Sequence, residues 1–268
     1  FKCHNCGASL SFNNFLKQID STLHKQYTLE KFKEGHAGGR NFVVEEPKFD
    51  FTKPVFKAKL DLPKASEVPM AKEYLTKRRL DPNKFYFAQK FQEWTNKQKQ
   101  TFDNIVRDEC RIVIPLYDTN SELIGFQGRS LVPNSIKYIT VMLNDSKPKI
   151  YGLEKVNEEK PIYIVEGPFD STLVENSVAM CGSDIDIRTF GWSDYIWVFD
   201  NEPRNREINN RISKVIDRGD KVVIWPSHIM QKDINDMVLS DIDVSSVLQS
   251  STYSGLKAKV KFNNWKKI

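Results

Sequence analysis

Glu166-Gly-Pro-Phe-Asp170 follows the apolar run Ile162 to Val165, and Asp200-Asn-Glu202 follows the apolar run Tyr195 to Phe199. Carboxylates just past the C-terminal ends of buried strands stand where open α/β sheets bind their ligands, and two such strand ends converge on one crevice. Carboxylates gathered at one strand end repel each other unless cations neutralise them, so the pattern points to a metal site. Oxygen donors suit hard divalent cations, Mg²⁺ or Mn²⁺, completed by water and substrate phosphates. Lys232-Asp-Ile-Asn-Asp236 lies past a further strand, Lys221 to Trp225, and brings Asp233 and Asp236 to the same edge. A lone Asp at a helix start is commonly an N-cap, and for Asp170 and Asp233 that reading stands beside the metal one. Clustered acids of this kind suit in-line displacement at phosphorus, and both strand cleavage and nucleotide addition fit.

Deciding between those two chemistries requires a place for a triphosphate, and residues 111–149 offer cations. Arg111 opens an expected hairpin, Gly128-Arg129 ends it, and Lys137-Tyr138, Lys147 and Lys149 follow. Arginine forks and lysine point charges are the usual phosphate partners.

The elements that must position these groups follow from periodicity. From Lys160 onward short apolar strands alternate with helical segments, which predicts a parallel sheet with helices on its faces. A helix is expected from about 170 to 176. Another is expected from Pro203, with Ile208, Ile212, Val215 and Ile216 on one face and Gly219 as its stop. Upstream, a helix runs through Ala71, Tyr74, Leu75 and Leu80 to a break at Asp81-Pro82, and Arg111–Tyr117 with Glu122–Gln127 reads as a hairpin about Asp118–Ser121. Phe85, Tyr86, Phe87, Phe91 and Trp94 are suited to stacking on bases, with core packing the expected fate of most.

At the start of the chain, Cys3-His-Asn-Cys6-Gly has the spacing of a zinc knuckle, and Phe12, Phe15, Leu16, Ile19 and Leu23 predict a helix after it. One knuckle supplies two of four ligands, so Zn²⁺ needs either His4 and His24 or a first knuckle, expected upstream. Cys110 and Cys181 read as inert core thiols. Residues 244–268 carry Lys257, Lys259, Lys261, Lys266 and Lys267 and no acid, which reads as a basic tail able to follow a phosphate backbone or dock on a partner. The net charge of +5 suits a polyanionic partner. No apolar run approaches the roughly 20 residues that span a bilayer, and no signal-peptide pattern is seen, so a cytoplasmic protein without a membrane partner is expected.

Taken in order, Tyr74-Leu-Thr-Lys-Arg-Arg-Leu80, Arg111-Ile-Val-Ile-Pro115, Gly125-Phe-Gln-Gly-Arg129, Lys137-Tyr-Ile139, Ile150-Tyr-Gly-Leu153 and the three acidic motifs resemble the catalytic core of bacterial-type DNA primases. The likeness is closest to the stand-alone primases of large tailed bacteriophages and covers nearly the whole chain. It implies an α/β protein, α+β overall. A Toprim parallel sheet flanked by helices (159–243) would follow a mixed α+β primase subdomain (66–158), a linker (38–65) and the second half of a zinc ribbon plus helix (1–37), with the basic segment 244–268 last. It implies short RNA primers made from ribonucleoside triphosphates on single-stranded DNA for lagging-strand replication, with a replicative helicase as partner, in the bacterial host cytoplasm if phage-encoded. By the same resemblance Glu166, Asp170, Asp200, Glu202 and Asp233 hold Mg²⁺ or Mn²⁺. Arg111, Arg129, Lys137, Lys232 and Asn235 meet nucleotide or template, and for the reaction itself Glu166 is the expected group to assist proton removal. Cys3 and Cys6 match the ribbon's second knuckle, which binds Zn²⁺ only if the first is present. Glu202 stands where the family commonly has Asp, which keeps the charge and lengthens the reach by one methylene. The rival readings are a Toprim nuclease, which needs no triphosphate site, and a non-catalytic subunit that binds nucleic acid or a helicase.

Overall fold

The computed structural model describes residues 10–33, 60–105, 107–182 and 186–268. Cys3, His4, Cys6 and most of the expected linker lie outside the described residues. The chain divides into two compact units, Phe1–Pro54 and Val55–Ile268.

In the first unit the single expected helix is two, α1 (Phe12–Ile19) and α2 (Ser21–Lys33). The break falls at Asp20, whose backbone is extended and whose carboxylate accepts the N–H groups of Thr22 (2.7 Å) and Leu23 (3.1 Å), so one residue ends α1 and caps α2. Phe12 and Tyr27 close the pair with an edge-to-face contact at 5.2 Å.

The second unit begins within what reads as a linker: Leu60 and Ala65 are buried, and Lys64 bridges to Tyr86. Its first half carries α3 (Pro69–Lys77), β1 (Tyr86–Ala88), α4 (Phe91–Gln98), β2 (Arg111–Tyr117), β3 (Leu123–Ser130) and β4 (Tyr138–Met142). The four strands form one antiparallel sheet in the order β1-β2-β3-β4. β2 is apolar on both faces because each face meets a core. Ile112, Ile114 and Leu116 join the large cluster shared with the rest of the unit, while Val113 joins Phe91, Trp94 and Phe126 in a smaller one under α4. Phe85, Phe87, Phe91 and Trp94 are therefore core, and Tyr86 is half-buried with the Lys64 ammonium 3.8 Å from its ring centre.

The second half adds β5 (Ile162–Val165), α5 (Pro168–Ser171), β6 (Ser177–Ala179), β7 (Tyr195–Trp197), α6 (Arg206–Asp217), β8 (Lys221–Val223), α7 (Ile234–Leu239), α8 (Val244–Ser250), β9 (Thr252–Tyr253) and α9 (Gly255–Trp265). These strands make a second sheet, β6-β5-β7-β8-β9, parallel except for β9. The expected alternation of strands and helices is present, with two shifts. α5 is shorter than its periodicity predicts, because the chain must turn back in time for Ser177 to pair beside Tyr163. α6 starts after Pro203, at the cap supplied by Asn205, whose side chain accepts from Glu207 (3.0 Å) and Ile208 (3.4 Å). Its buried face is Ile208, Ile212, Val215 and Ile216. Cys181 is buried and its thiol is pushed up to about 12 by burial, while Cys110 is raised in the same direction for the same first reason.

Residues 244–268, which read as a basic tail, are a structural layer. β9 pairs with β8 through Val222 with Tyr253 and Val223 with Thr252, and α9 buries Ala258, Phe262 and Trp265. Those positions are four and three apart, one face of a helix, while Lys257, Lys259 and Lys261 fall on the others.

Gly128 is the tightest point of the first sheet. A Cβ there would stand 2.4 Å from Phe91 Cε2 and 3.0 Å from Arg111 Cδ. Gly128→Ala is therefore expected to destabilise the fold by roughly 1–3 kcal/mol, read as a lower urea midpoint at unchanged slope.

Candidate active site

β6 and β7 lie on opposite sides of β5, so the chain leaves the end of β5 toward one neighbour and reaches the other later. That reversal opens a crevice at the C-terminal ends of β5 and β7. Glu166 directly follows β5, Asp200 closes the run beyond β7, and the backbone N–H of Asp200 donates to Glu166 Oε2 at 3.3 Å. Glu166 Oε1 takes Arg211 Nη1 from α6 at 3.3 Å. Asp170, in the first turn of α5, accepts the backbone N–H of Asn235 at 3.0 Å, so the first acidic motif is bonded to the third. Asp233 is the N-cap of α7, accepting the Asp236 N–H at 2.8 Å, while Asp236 is exposed on that helix's first turn. Glu202 is held by Lys232 Nζ and Asn205 Nδ2, both at 3.0 Å.

The electrostatics follow from this crowding. Burial raises the carboxyls of Glu166 and Asp200 together, and Asp200 is pushed up to about 8 by burial and then by the charges of Glu166, Asp170 and Asp233. Asp170 is pushed up to about 7, first by burial and then by Asp233. Glu202 goes the other way: burial would raise it, but its bonds from Lys232 and Asn205 outweigh that and hold it below the usual range.

Opposite the acids stand cations. The Arg129 guanidinium lies over the Tyr138 ring at 4.9 Å, and Tyr138 is its partner across β3 and β4. Lys137 sits one residue before Tyr138; burial lowers its ammonium, followed by the charges of Arg129 and Lys232, with Arg78 adding to them against Asp233. Arg78, Arg129, Lys137 and Lys232 thus share one electrostatic neighbourhood with Asp233.

Two expected nucleotide contacts are placed differently. Arg111 is 2% exposed, donates to Gly128 O at 2.9 Å and to Ser135 Oγ at 3.3 Å, pairs with Glu109, and faces the Phe91 ring. With its fork engaged inside the protein, Arg111 is a framework cation. Asn235 is also 2% exposed and is committed to α3, donating to Arg78 O at 2.7 Å and accepting from Arg78 Nη1 at 2.9 Å. Lys147 is spent on the β2–β3 turn, bonded to the buried Asp118 at 2.8 Å.

Among the described residues, no three His, Cys, Asp or Glu side chains close around a single point. Mg²⁺ commonly uses one or two carboxylates and fills the rest of its shell with water and phosphate oxygens, so the hard-oxygen donor set at this crevice fits that cation.

No family model matches the sequence. The DNA primase of Enterobacteria phage T4 is 30% identical over an alignment 283 positions long, which covers 99% of this chain and 81% of that protein. The chain belongs to the DNA primases. A DNA primase of Buchnera aphidicola subsp. Acyrthosiphon pisum matches a shorter stretch, 37% identical over 28% of this chain and 14% of that protein. The fold is that of solved primase cores. The Aquifex aeolicus primase structure with its zinc-binding and RNA polymerase domains matches with a TM-score of 0.56 at 20% identity, over 94% of this chain and 73% of that one. The E. coli primase catalytic core matches with a TM-score of 0.54 at 18% identity, over 76% and 80%.

Within this primase fold the structure also names residues that sequence reasoning passed over. Arg211, on α6, reaches Glu166. Asn201 stood between two acids as a spacer, yet its side chain is fully bonded into the protein. Arg78 lay in a basic run, and only α7 packing against α3 reveals what it meets.

The raised carboxyls have a measurable consequence. Unfolded Asp titrates near 4, so a group raised in the folded chain contributes stability that is fully present below about pH 4 and lost as the pH climbs through the folded value. For metal-free protein, Asp200→Asn is expected to raise the melting temperature at pH 8 by on the order of 5 °C, with the gain shrinking as the pH falls toward 4. Calorimetric scans in chelator across that range would check it, and a gain that grew on acidification would contradict the assignment.

Proposed function

We infer that this crevice carries out the primer synthesis that membership of the DNA primases gives the chain, joining ribonucleoside triphosphates into short RNA on single-stranded DNA. The observation that carries the reading is the facing of two clusters of opposite sign: Glu166, Asp170, Asp200 and Asp233 on the strand ends, and Arg129, Lys137 and Lys232 beside them. Each cluster is unfavourable alone and calls for ligands of the other sign. Glu166, Asp170, Asp200, Glu202 and Asp233 would hold Mg²⁺ or Mn²⁺. When bound, such cations stabilise attacking and leaving oxygens in phosphoryl transfer. Two cations acting together is the form of this chemistry that the number of acids favours.

The protein's own groups have separable tasks. Arg129, Lys137 and Lys232 bind and orient the triphosphate or the template backbone, with the Arg129 guanidinium held over the Tyr138 ring. Lys232 links the two clusters, since its ammonium already bonds Glu202. Glu166 is suited to receive the proton of the attacking 3′-hydroxyl on a carboxylate oxygen. Burial raises its pKa toward the working pH, where a general base is most effective, and Arg211 and the Asp200 N–H hold it in one orientation. Exposed lysines on α9 and the family's helicase partner make that helix a candidate surface for replication proteins. Cys3 and Cys6 would contribute half of a Zn²⁺ site.

A template-dependent assay with labelled ribonucleotides tests the reading. Glu166→Gln should keep its fold and lose roughly 10²- to 10⁴-fold in primer synthesis. Normal synthesis by the folded variant would remove Glu166 from the chemistry. Lys137→Ala is expected to raise the nucleotide KM about tenfold with a smaller effect on kcat, and an unchanged KM would detach it from the triphosphate.

A further inference from the structure

The acids of the second motif stand on a loop, and a loop must be held in place to present carboxylates reproducibly. The loop Asp200–Asn205 is fastened from several sides. Asn201 Nδ2 donates to Ile229 O at 2.9 Å and Gln231 O at 3.0 Å, and its backbone N–H donates to Lys232 O at 2.6 Å, which ties it to the segment carrying the third motif. Its remaining side-chain atom, Oδ1, accepts the indole N–H of Trp265 at 3.0 Å. Two residues further on, just past the end of α9, the backbone N–H of Lys267 donates to Pro203 O at 3.0 Å. Trp265 is itself fixed, buried in the last turn of α9 with its ring near Phe262.

α9 therefore reaches the acidic loop at Asn201, between the two acids, and the residues just past its end reach it again at Pro203, beyond the second acid. Asn201 lies between Asp200 and Glu202 in sequence, so tilting it displaces both carboxylates together. A buried Trp with its N–H satisfied by a loop Asn is an indirect support of the kind that orients metal ligands, and removing such a support typically costs 10- to 100-fold in metal affinity or activity.

We propose that Trp265, acting through Asn201, is a positioning residue that sets how tightly the Asp200–Glu202 loop binds divalent cation. α9 is then part of the catalytic apparatus of this primase through its hold on the acidic loop. The inference rests on the metal reading of the preceding section.

The test uses the full chain and measures Mg²⁺ binding by titration calorimetry alongside the Mg²⁺ dependence of primer synthesis. Trp265→Phe keeps an aromatic ring in the core and deletes the donor together with part of the ring volume, a packing loss for which Phe262→Leu is the control. It is expected to weaken Mg²⁺ binding about tenfold, shift the Mg²⁺ midpoint for activity by the same factor, and recover most activity at saturating metal. Phe262→Leu, in the same helix but without a bond to the loop, is expected to lower the melting temperature while leaving the Mg²⁺ midpoint in place. Asn201→Ala removes the same bond from the other side and should reproduce the shift if Trp265→Phe does not fold. A Trp265→Phe or Asn201→Ala chain that binds Mg²⁺ as the wild type does would overturn the proposal. So would midpoint shifts that follow loss of stability in all three variants. Asp200→Asn separates the two levels: if it binds Mg²⁺ like the wild type, the metal reading falls and this inference with it, whereas loss of binding there with no change in Trp265→Phe overturns this inference alone.

Discussion

Gathering carboxylates at the mouth of a sheet opposes folding, and much of this protein is organised around that repulsion. Glu166, Asp170, Asp200 and Asp233 approach one another because β5 and β7 end side by side at the point where the strand order reverses. Desolvation and like charge then raise Asp200 and Asp170 well above ordinary carboxyls. The surrounding bonds serve to hold the acids in that unfavourable arrangement. Backbone N–H groups of Asp200 and Asn235 donate to Glu166 and Asp170, Arg211 reaches Glu166, and Lys232 neutralises Glu202. Stability is given up locally and supplied by the core beneath, a common relation between a reactive site and its scaffold.

The two halves of the second unit are joined by contacts that also shape the site. Arg78 and Arg79, at the end of α3, reach Asn235, Val238 O and Asp241 on and after α7. The same α7 begins at Asp233. An element of the basic half is thus bonded to the helix that bears the third acidic motif. Phe169, directly before Asp170 in sequence, packs against Tyr74, Phe85 and Tyr138. The first acid therefore stands on an aromatic floor contributed by the basic half.

Arginine fates illustrate how little residue type alone decides. Arg111, Arg129 and Arg211 are chemically identical and all lie within reach of functional segments. Arg111 is interred against Gly128 because the missing Cβ there and the neighbouring Phe91 leave a channel for its side chain, and Glu109 supplies its counter-charge. Arg129, the next-to-last residue of β3 and the partner of Ile112, instead has its guanidinium over the Tyr138 ring. Arg211 projects from a helix whose opposite face is core, and meets Glu166 across the sheet edge.

The amino-acid sequence by itself determined the acids, the strands that end in them, the β2–β3 hairpin and the buried face of α6. Each of these depends on local spacing: period two in a strand, three to four in a helix, and a charged residue where an apolar run stops. It also carried the family, through an ordered set of short motifs. What local spacing cannot contain is which element packs across from a given side chain. The break of the first helix at Asp20, the burial of Arg111 and Asn235, the meeting of Arg78 with α7, and the service of Arg211 and Asn201 in the site all rest on that. The clearest case is residues 244–268. Their lysines suggested a basic tail, because charge is conspicuous in a sequence and a sparse apolar face is not. Only the pairing of β9 with β8, which closes the edge of the sheet, and the burial of Ala258, Phe262 and Trp265 decided that the segment supports the acidic loop.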